Sequence, residues 1–133
     1  MSRYGATVLR LILGLIYLMH GYHALAVLGP SGSMAFVERL GLPLPFLGGW
    51  YLIAAHLVGG AMLVIGLWTR WAALAQVPIM VGAVLLVHLK QGFFMRSQGL
   101  SGPAAGYEFA LLVLVATIAQ ILLGGGALAL TRD

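Results

Sequence analysis

Apolar residues run from Gly5 to Leu28, interrupted by only three ionisable side chains, Arg10, His20 and His23, and the run stops at the turn-forming cluster Gly29-Pro30-Ser31-Gly32-Ser33. In a helix rising 1.5 Å per residue, such a run is long enough to cross about 30 Å of hydrocarbon. Three more apolar stretches follow. Trp50 to Leu67 carries one ionisable group, His56, and has Trp50 and Trp68 at its ends, where amphipathic indoles favour a membrane boundary. Beyond the short turn Thr69-Arg70, Trp71 to Leu89 runs back with Pro78 inside it and His88 near its end. Tyr107 to Leu130 is entered through Glu108, passes Gly124-Gly125-Gly126 and ends at Thr131-Arg132-Asp133.

The pattern predicts an all-α fold: one integral membrane antiparallel four-helix bundle over residues 1–133, with spans at about 5–28, 50–67, 71–89 and 107–130. Met34 to Gly49 holds Glu38, Arg39 and the two prolines of Leu42-Pro43-Leu44-Pro45, so it reads as an external loop with a short interfacial helix over Ala35 to Leu40. Lys90 to Gly106 is polar and Gly-rich, hence a second loop. Small residues such as Gly59-Gly60-Ala61 and Ala72-Ala73 allow close helix approach in lipid.

Composition supports lipid as the solvent: 62% of the 133 residues are hydrophobic and 8% charged, against about a quarter charged in ordinary soluble domains. The net charge of +4 comes from basic residues scattered singly, which form no nucleic-acid patch and suit headgroup contacts instead. With no cysteine, thiol exchange and thiolate-held iron–sulfur clusters are excluded. The first apolar run is expected to be retained as a span, since it is longer than the apolar region of a signal peptide.

Four spans put both termini on one side, together with Arg3, Arg10, Arg70 and Arg132, against Arg39, Lys90 and Arg96 on the other. The positive-inside bias then predicts a multi-pass protein of the cell membrane with cytoplasmic N- and C-termini, and Arg10 is expected to snorkel towards the headgroups. Antiparallel threading carries His20, His23, His56, His88 and Glu108 towards the opposite, outer face. The inner half is expected to be almost wholly hydrocarbon. Ionisable groups at membrane depth usually face a wet cavity or the bundle interior, so these five are the candidate ligand-binding residues. His20 and His23, three apart, share a helix face. The blander alternatives are a hydrogen-bonded structural His56 and a surface ion pair between His88 and Glu108. Imidazoles and a carboxylate suit a transition metal or haem. The absence of a dense ligand motif and the spread of the groups over two depths argue against a metal site.

The stretch Leu11-Ile12-Leu13-Gly14-Leu15-Ile16-Tyr17-Leu18-Met19-His20-Gly21-Tyr22-His23 resembles the first-helix signature of the DoxX-like membrane proteins, an apolar run ending in His-Gly. Gly66-Leu67-Trp68-Thr69-Arg70 with the following Ala72-Ala73 is similar to that family's turn between its second and third helices. His88 before Gly92-Phe93-Phe94, and Tyr107-Glu108 before Ala110, resemble the end of its third helix and the start of its fourth. His23 stands where a Lys is common, and His56 where a Glu is common.

The resemblance implies a four-helix membrane fold and an association with redox or sulfur enzymes, since some relatives are small subunits of thiosulfate:quinone oxidoreductase. Three functional readings follow. The first is a membrane subunit or partner of a quinone- or sulfur-linked oxidoreductase, with quinone as the ligand of the outer pocket and an oxidoreductase or sulfurtransferase as the partner protein. The second is a non-catalytic scaffold holding partner enzymes, and the third a pathway for small solutes or protons. A homo-oligomer is compatible with each.

Overall fold

The computed structural model describes residues 2–95 and 105–133, and the described residues are mostly helical. Helix α1 (Ser2–Tyr22) continues into a π-helical segment, His23–Leu28, and then into α2 (Gly29–Arg39). A straight helix of this length, 37 residues from Arg3 to Arg39, would extend about 55 Å. The chain instead turns at Gly29, whose φ of 73° favours glycine. The Ser33 hydroxyl then donates to the Ala24 carbonyl at 3.0 Å, a bond across nine residues that no straight helix permits.

The second rod is α3 (Pro45–Ala54), a π-helical segment (Ala55–Gly59) and α4 (Gly60–Ile65). The third is α5 (Thr69–Gly82), a π-helical segment (Ala83–His88) and a 3₁₀ turn, Leu89–Gln91. The fourth, α6 (Glu108–Leu123), is shorter. The loop expected over residues 34–49 is therefore largely helical, with only Leu40 to Leu44 as connection. The reason lies in the prolines: Pro30 and Pro45 occupy the first turns of α2 and α3, where a missing N–H leaves no helical bond unmade.

The fourth apolar run also departs from expectation, because the helix stops at Leu123. Gly124 and Gly126 take φ of 73° and 76°, and residues 124–133 fold back as an irregular tail against the other helix ends. The Ala127 N–H donates to the Arg3 carbonyl and the Thr131 N–H to the Gly66 carbonyl, both at 3.0 Å. The Arg70 N–H donates to the Asp133 carboxylate at 2.7 Å.

Each rod touches the next and the fourth returns to the first: α1 packs on α4 and on the second π segment, α4 on α5, α5 on α6, and α6 on α1. Helix α2 lies on α3. A single core joins Leu13 and Tyr17 of α1, Leu63 of α4, Ala72, Ala73 and Met80 of α5, and Ala110 and Val113 of α6. Glycines set the closest approach. A methyl group at Gly60 would lie 2.7 Å from the Leu18 nitrogen, and one at Gly21 2.6 Å from the Leu57 nitrogen.

Large apolar side chains cover much of the surface, and several polar ones lie inside beside the hydrophobic core. Thr7, Arg10, Ser33, His56, Thr69, Gln76, Thr117 and Gln120 are buried, while Leu112, Val115 and Leu122 of α6 and Val8, Ile12 and Leu15 of α1 are exposed. Three helices, Arg3–Arg39, Pro45–Ile65 and Thr69–Gln91, are long and apolar enough to cross a membrane.

Candidate functional site

One imidazole of the predicted set lies at the centre of the molecule. His56 is the second residue of the π-helical segment Ala55–Gly59, a local widening of the helix that often re-aims side chains at functional positions. Its Nδ1 lies 2.8 Å from Gln76 Oε1, and the Gln76 amide nitrogen donates to the Ala55 carbonyl. That second bond fixes the orientation of the amide, so Oε1 accepts and His56 Nδ1 carries the proton. The remaining nitrogen, Nε2, is left with its lone pair. Gly59 makes the arrangement possible, since a methyl group there would lie 2.5 Å from the Gln76 amide nitrogen.

Two side chains of α1 flank this imidazole. The Tyr17 ring stacks on His56 at a centroid distance of 5.3 Å, and His20 meets it edge-on at 6.1 Å. The Tyr17 hydroxyl is 2.6 Å from Thr117 Oγ1, which itself donates to the Val113 carbonyl at 2.7 Å. Thr117 has spent its one proton, so Tyr17 is the donor between them. His20 is exposed, and its Nδ1 is held by the Ile16 carbonyl at 2.9 Å. A cavity of about 30 Å³ lies against Ile16, Tyr17, His20, His56, Met80 and Phe109. It admits a water or two between the imidazoles and is too small for a quinone ring.

The other predicted residues lie elsewhere. His23 is exposed at the start of the first π segment. His88 ends the third π segment and its Nδ1 meets the Ala105 carbonyl at 2.8 Å, while Glu108 accepts from the Met95 N–H at 2.8 Å. Both therefore fasten the connection before α6, and among the described residues no ion pair joins them. The helices thus bring together His20 and His56, with His23, His88 and Glu108 outside that cluster. Among the described residues no group of three or more His, Asp or Glu is placed to hold a metal ion. Each π-helical segment carries one histidine: His23, His56 or His88.

Tyr17, Gln76 and Thr117 escape a search for ionisable groups. Gln76 had a visible signal, as the one amide inside the third apolar run. The half expected to be hydrocarbon also differs from that expectation. Arg10 is 2% exposed and does not snorkel. Its guanidinium donates to the carbonyls of Leu63 at 3.0 Å, Val64 at 3.1 Å and Leu128 at 3.4 Å. The α4 terminus and the returning tail supply these carbonyls, and Gly66 leaves room for the guanidinium. Buried Thr7, Thr69 and Gln120 complete a second polar layer at this end.

Comparison with known proteins identifies a family. The family model described as DoxX matches residues 5–89. A protein of Bacillus subtilis (strain 168) named "Putative oxidoreductase CatD" is 33% identical over 127 residues, covering 95% of this chain and 84% of the relative. A Mycobacterium tuberculosis (strain ATCC 25618 / H37Rv) protein named "Uncharacterized membrane protein Rv3486" is 30% identical over 127 residues, covering 93% of this chain and 77% of the relative. No solved structure matches. The chain belongs to the DoxX family.

Proposed function

We propose that this protein is an antiparallel four-helix bundle spanning the cell membrane, with both termini cytoplasmic, and that it serves as the membrane component of a quinone-linked oxidoreductase. The many large apolar side chains exposed on the helices support the membrane reading. The bond between the Ala127 N–H and the Arg3 carbonyl supports a shared side for the two termini. The relative named as an oxidoreductase supports the redox class.

The observation that carries the function is an exposed imidazole, His20, backed across 6.1 Å by a buried one, His56. A substrate dissolved in the bilayer meets His20 from outside the helices, because the cavity behind it excludes a ring. Reduction of a quinone takes two electrons, here from the partner enzyme, and two protons. Imidazoles with a free nitrogen exchange protons near neutral pH. The two protons come from water at the exposed face, and His20, with the water space and His56 behind it, is placed to pass them to the ring.

A photoreactive short-chain quinone, applied to the protein in native membranes and mapped by mass spectrometry, tests this. Labelling is expected at Ile16, His20 or Phe109 and is expected to fall in His20→Ala. Labelling that is absent, or unchanged in His20→Ala, removes the quinone role. The tightness of the cavity favours one rival, a non-catalytic scaffold. That rival requires the same partner enzymes to co-purify with wild type and with the His20→Ala, His56→Ala double variant, and requires quinone-linked activity of those partners to be unchanged.

A further inference from the structure

The end of the molecule away from His20 holds a larger cavity, about 180 Å³, walled by Arg3 and Ala6 of α1, by Gly125 and Gly126, and by Thr131, Arg132 and Asp133 of the tail. That is room for several waters, or for a phosphate group, whose five heavy atoms are each no larger than a water. Arg3 and Arg132 are exposed and both line it. Asp133 brings the one carboxylate side chain in the wall, and its Oδ2 already accepts from the Arg70 N–H.

The local field favours an anion. The N-terminus of α1 opens here, with its first N–H groups unpaired within the helix. The opposing carbonyl end of α6 is already engaged, Leu122 by Arg70 at 3.4 Å and Gly124 by Gln120 at 2.6 Å. The wall is also held in shape, because buried Arg10 grips the Leu128 carbonyl and Thr7 the Ala127 carbonyl.

We propose that this cavity binds a phosphate group between Arg3 and Arg132. The ligand class is a phosphate ester or diester: the headgroup of an anionic phospholipid, or a small soluble phosphate. The lipid source rests on the membrane reading above, which sets this end at the headgroup layer, where arginines attract anionic lipid.

Ligand-dependent thermal unfolding of detergent-solubilised full-length protein tests the site, with phosphatidylglycerol, phosphatidylcholine and inorganic phosphate as separate probes. Phosphatidylglycerol is expected to stabilise wild type at concentrations about tenfold or more below phosphatidylcholine, and Arg3→Gln with Arg132→Gln to abolish that preference. Stabilisation by inorganic phosphate alone, lost in the same variant, supports the site with a soluble ligand. Equal effects of all three probes overturn the proposal. So does a preference that survives Arg3→Gln with Arg132→Gln, or one lost equally in Arg39→Gln with Lys90→Gln at the other end. Alkaline carbonate extraction reads the membrane assignment separately. Protein released by carbonate overturns that assignment without touching the phosphate result in detergent.

Discussion

Gln76 holds His56 in one tautomer: its Oε1 accepts from His56 Nδ1 at 2.8 Å while its amide nitrogen is committed to the Ala55 carbonyl. A residue outside the ionisable set thereby decides which nitrogen of the buried imidazole carries the proton. Gln76→Leu leaves His56 Nδ1 and the Ala55 carbonyl without this partner, at a loss of about 1 kcal/mol. The expected result is a lowered thermal midpoint in detergent. Nitrogen-15 NMR of labelled histidine should change from a single Nδ1–H form of His56 to a mixture of tautomers. An unmixed spectrum in the variant would show that some other contact sets the tautomer.

Arg10 joins the second rod to the tail, and its bonds run to carbonyls rather than to a carboxylate. Bonds from a charged donor are worth about 1.5 to 3 kcal/mol. Arg10→Met keeps the volume of the stem but releases Leu128, so the tail should loosen before the helices do. Hydrogen exchange at the Ala127 and Thr131 amides is expected to accelerate about tenfold or more, while core amides such as Val113 change less. Uniform acceleration along the chain would mean that Arg10 supports the whole fold and not the tail in particular.

Hydrophobic pattern marked where helices form, because long apolar runs leave no other way to satisfy the backbone in lipid. It was a poor guide to where they stop. Pro30 and Pro45 look like breakers in a linear reading, yet each sits in a helical first turn, while Gly124 and Gly126 end α6 well before the apolar run does. The site was legible as far as charge reached. His20 and His56 stand out in apolar runs and Gln76 shows there as a lone amide, but Tyr17 and Thr117 are found only once the rods are packed. Arg10 was misread for the same reason: its carbonyl partners come from α4 and from a tail whose return no local pattern encodes.

Close approach of α1 and α4 depends on Gly60, where a methyl group would meet the Leu18 nitrogen at 2.7 Å and the Gly14 carbonyl at 3.1 Å. Both are backbone atoms and cannot swing aside. Gly60→Val is expected to cost about 2 kcal/mol or more, as overpacking of a tight contact does. Gly82 is the internal control, since nothing lies within 4 Å of an added methyl there. Gly82→Ala should be neutral or should stabilise by about 0.5 kcal/mol through the better helix former. Chemical unfolding of the two variants in the same micelle checks the contrast, and equal midpoints would refute the close-packed α1–α4 seam.

The pair Tyr17 and Thr117 yields an asymmetric expectation from the direction of one proton. Thr117 donates to Val113, so the 2.6 Å contact between the hydroxyls has Tyr17 as donor. Tyr17→Phe removes that donor and leaves Thr117 with its carbonyl partner, a loss of about 0.5 to 1 kcal/mol. Thr117→Val instead strands the Tyr17 hydroxyl in a position 1% exposed, where an unpaired donor costs about 1 to 3 kcal/mol. Adding Tyr17→Phe to Thr117→Val should restore part of that loss, because the stranded hydroxyl is gone. A double-mutant cycle on unfolding midpoints measures all three values. If Tyr17→Phe proves the more damaging single change, the proton runs the other way and Thr117 holds Tyr17 rather than accepting from it.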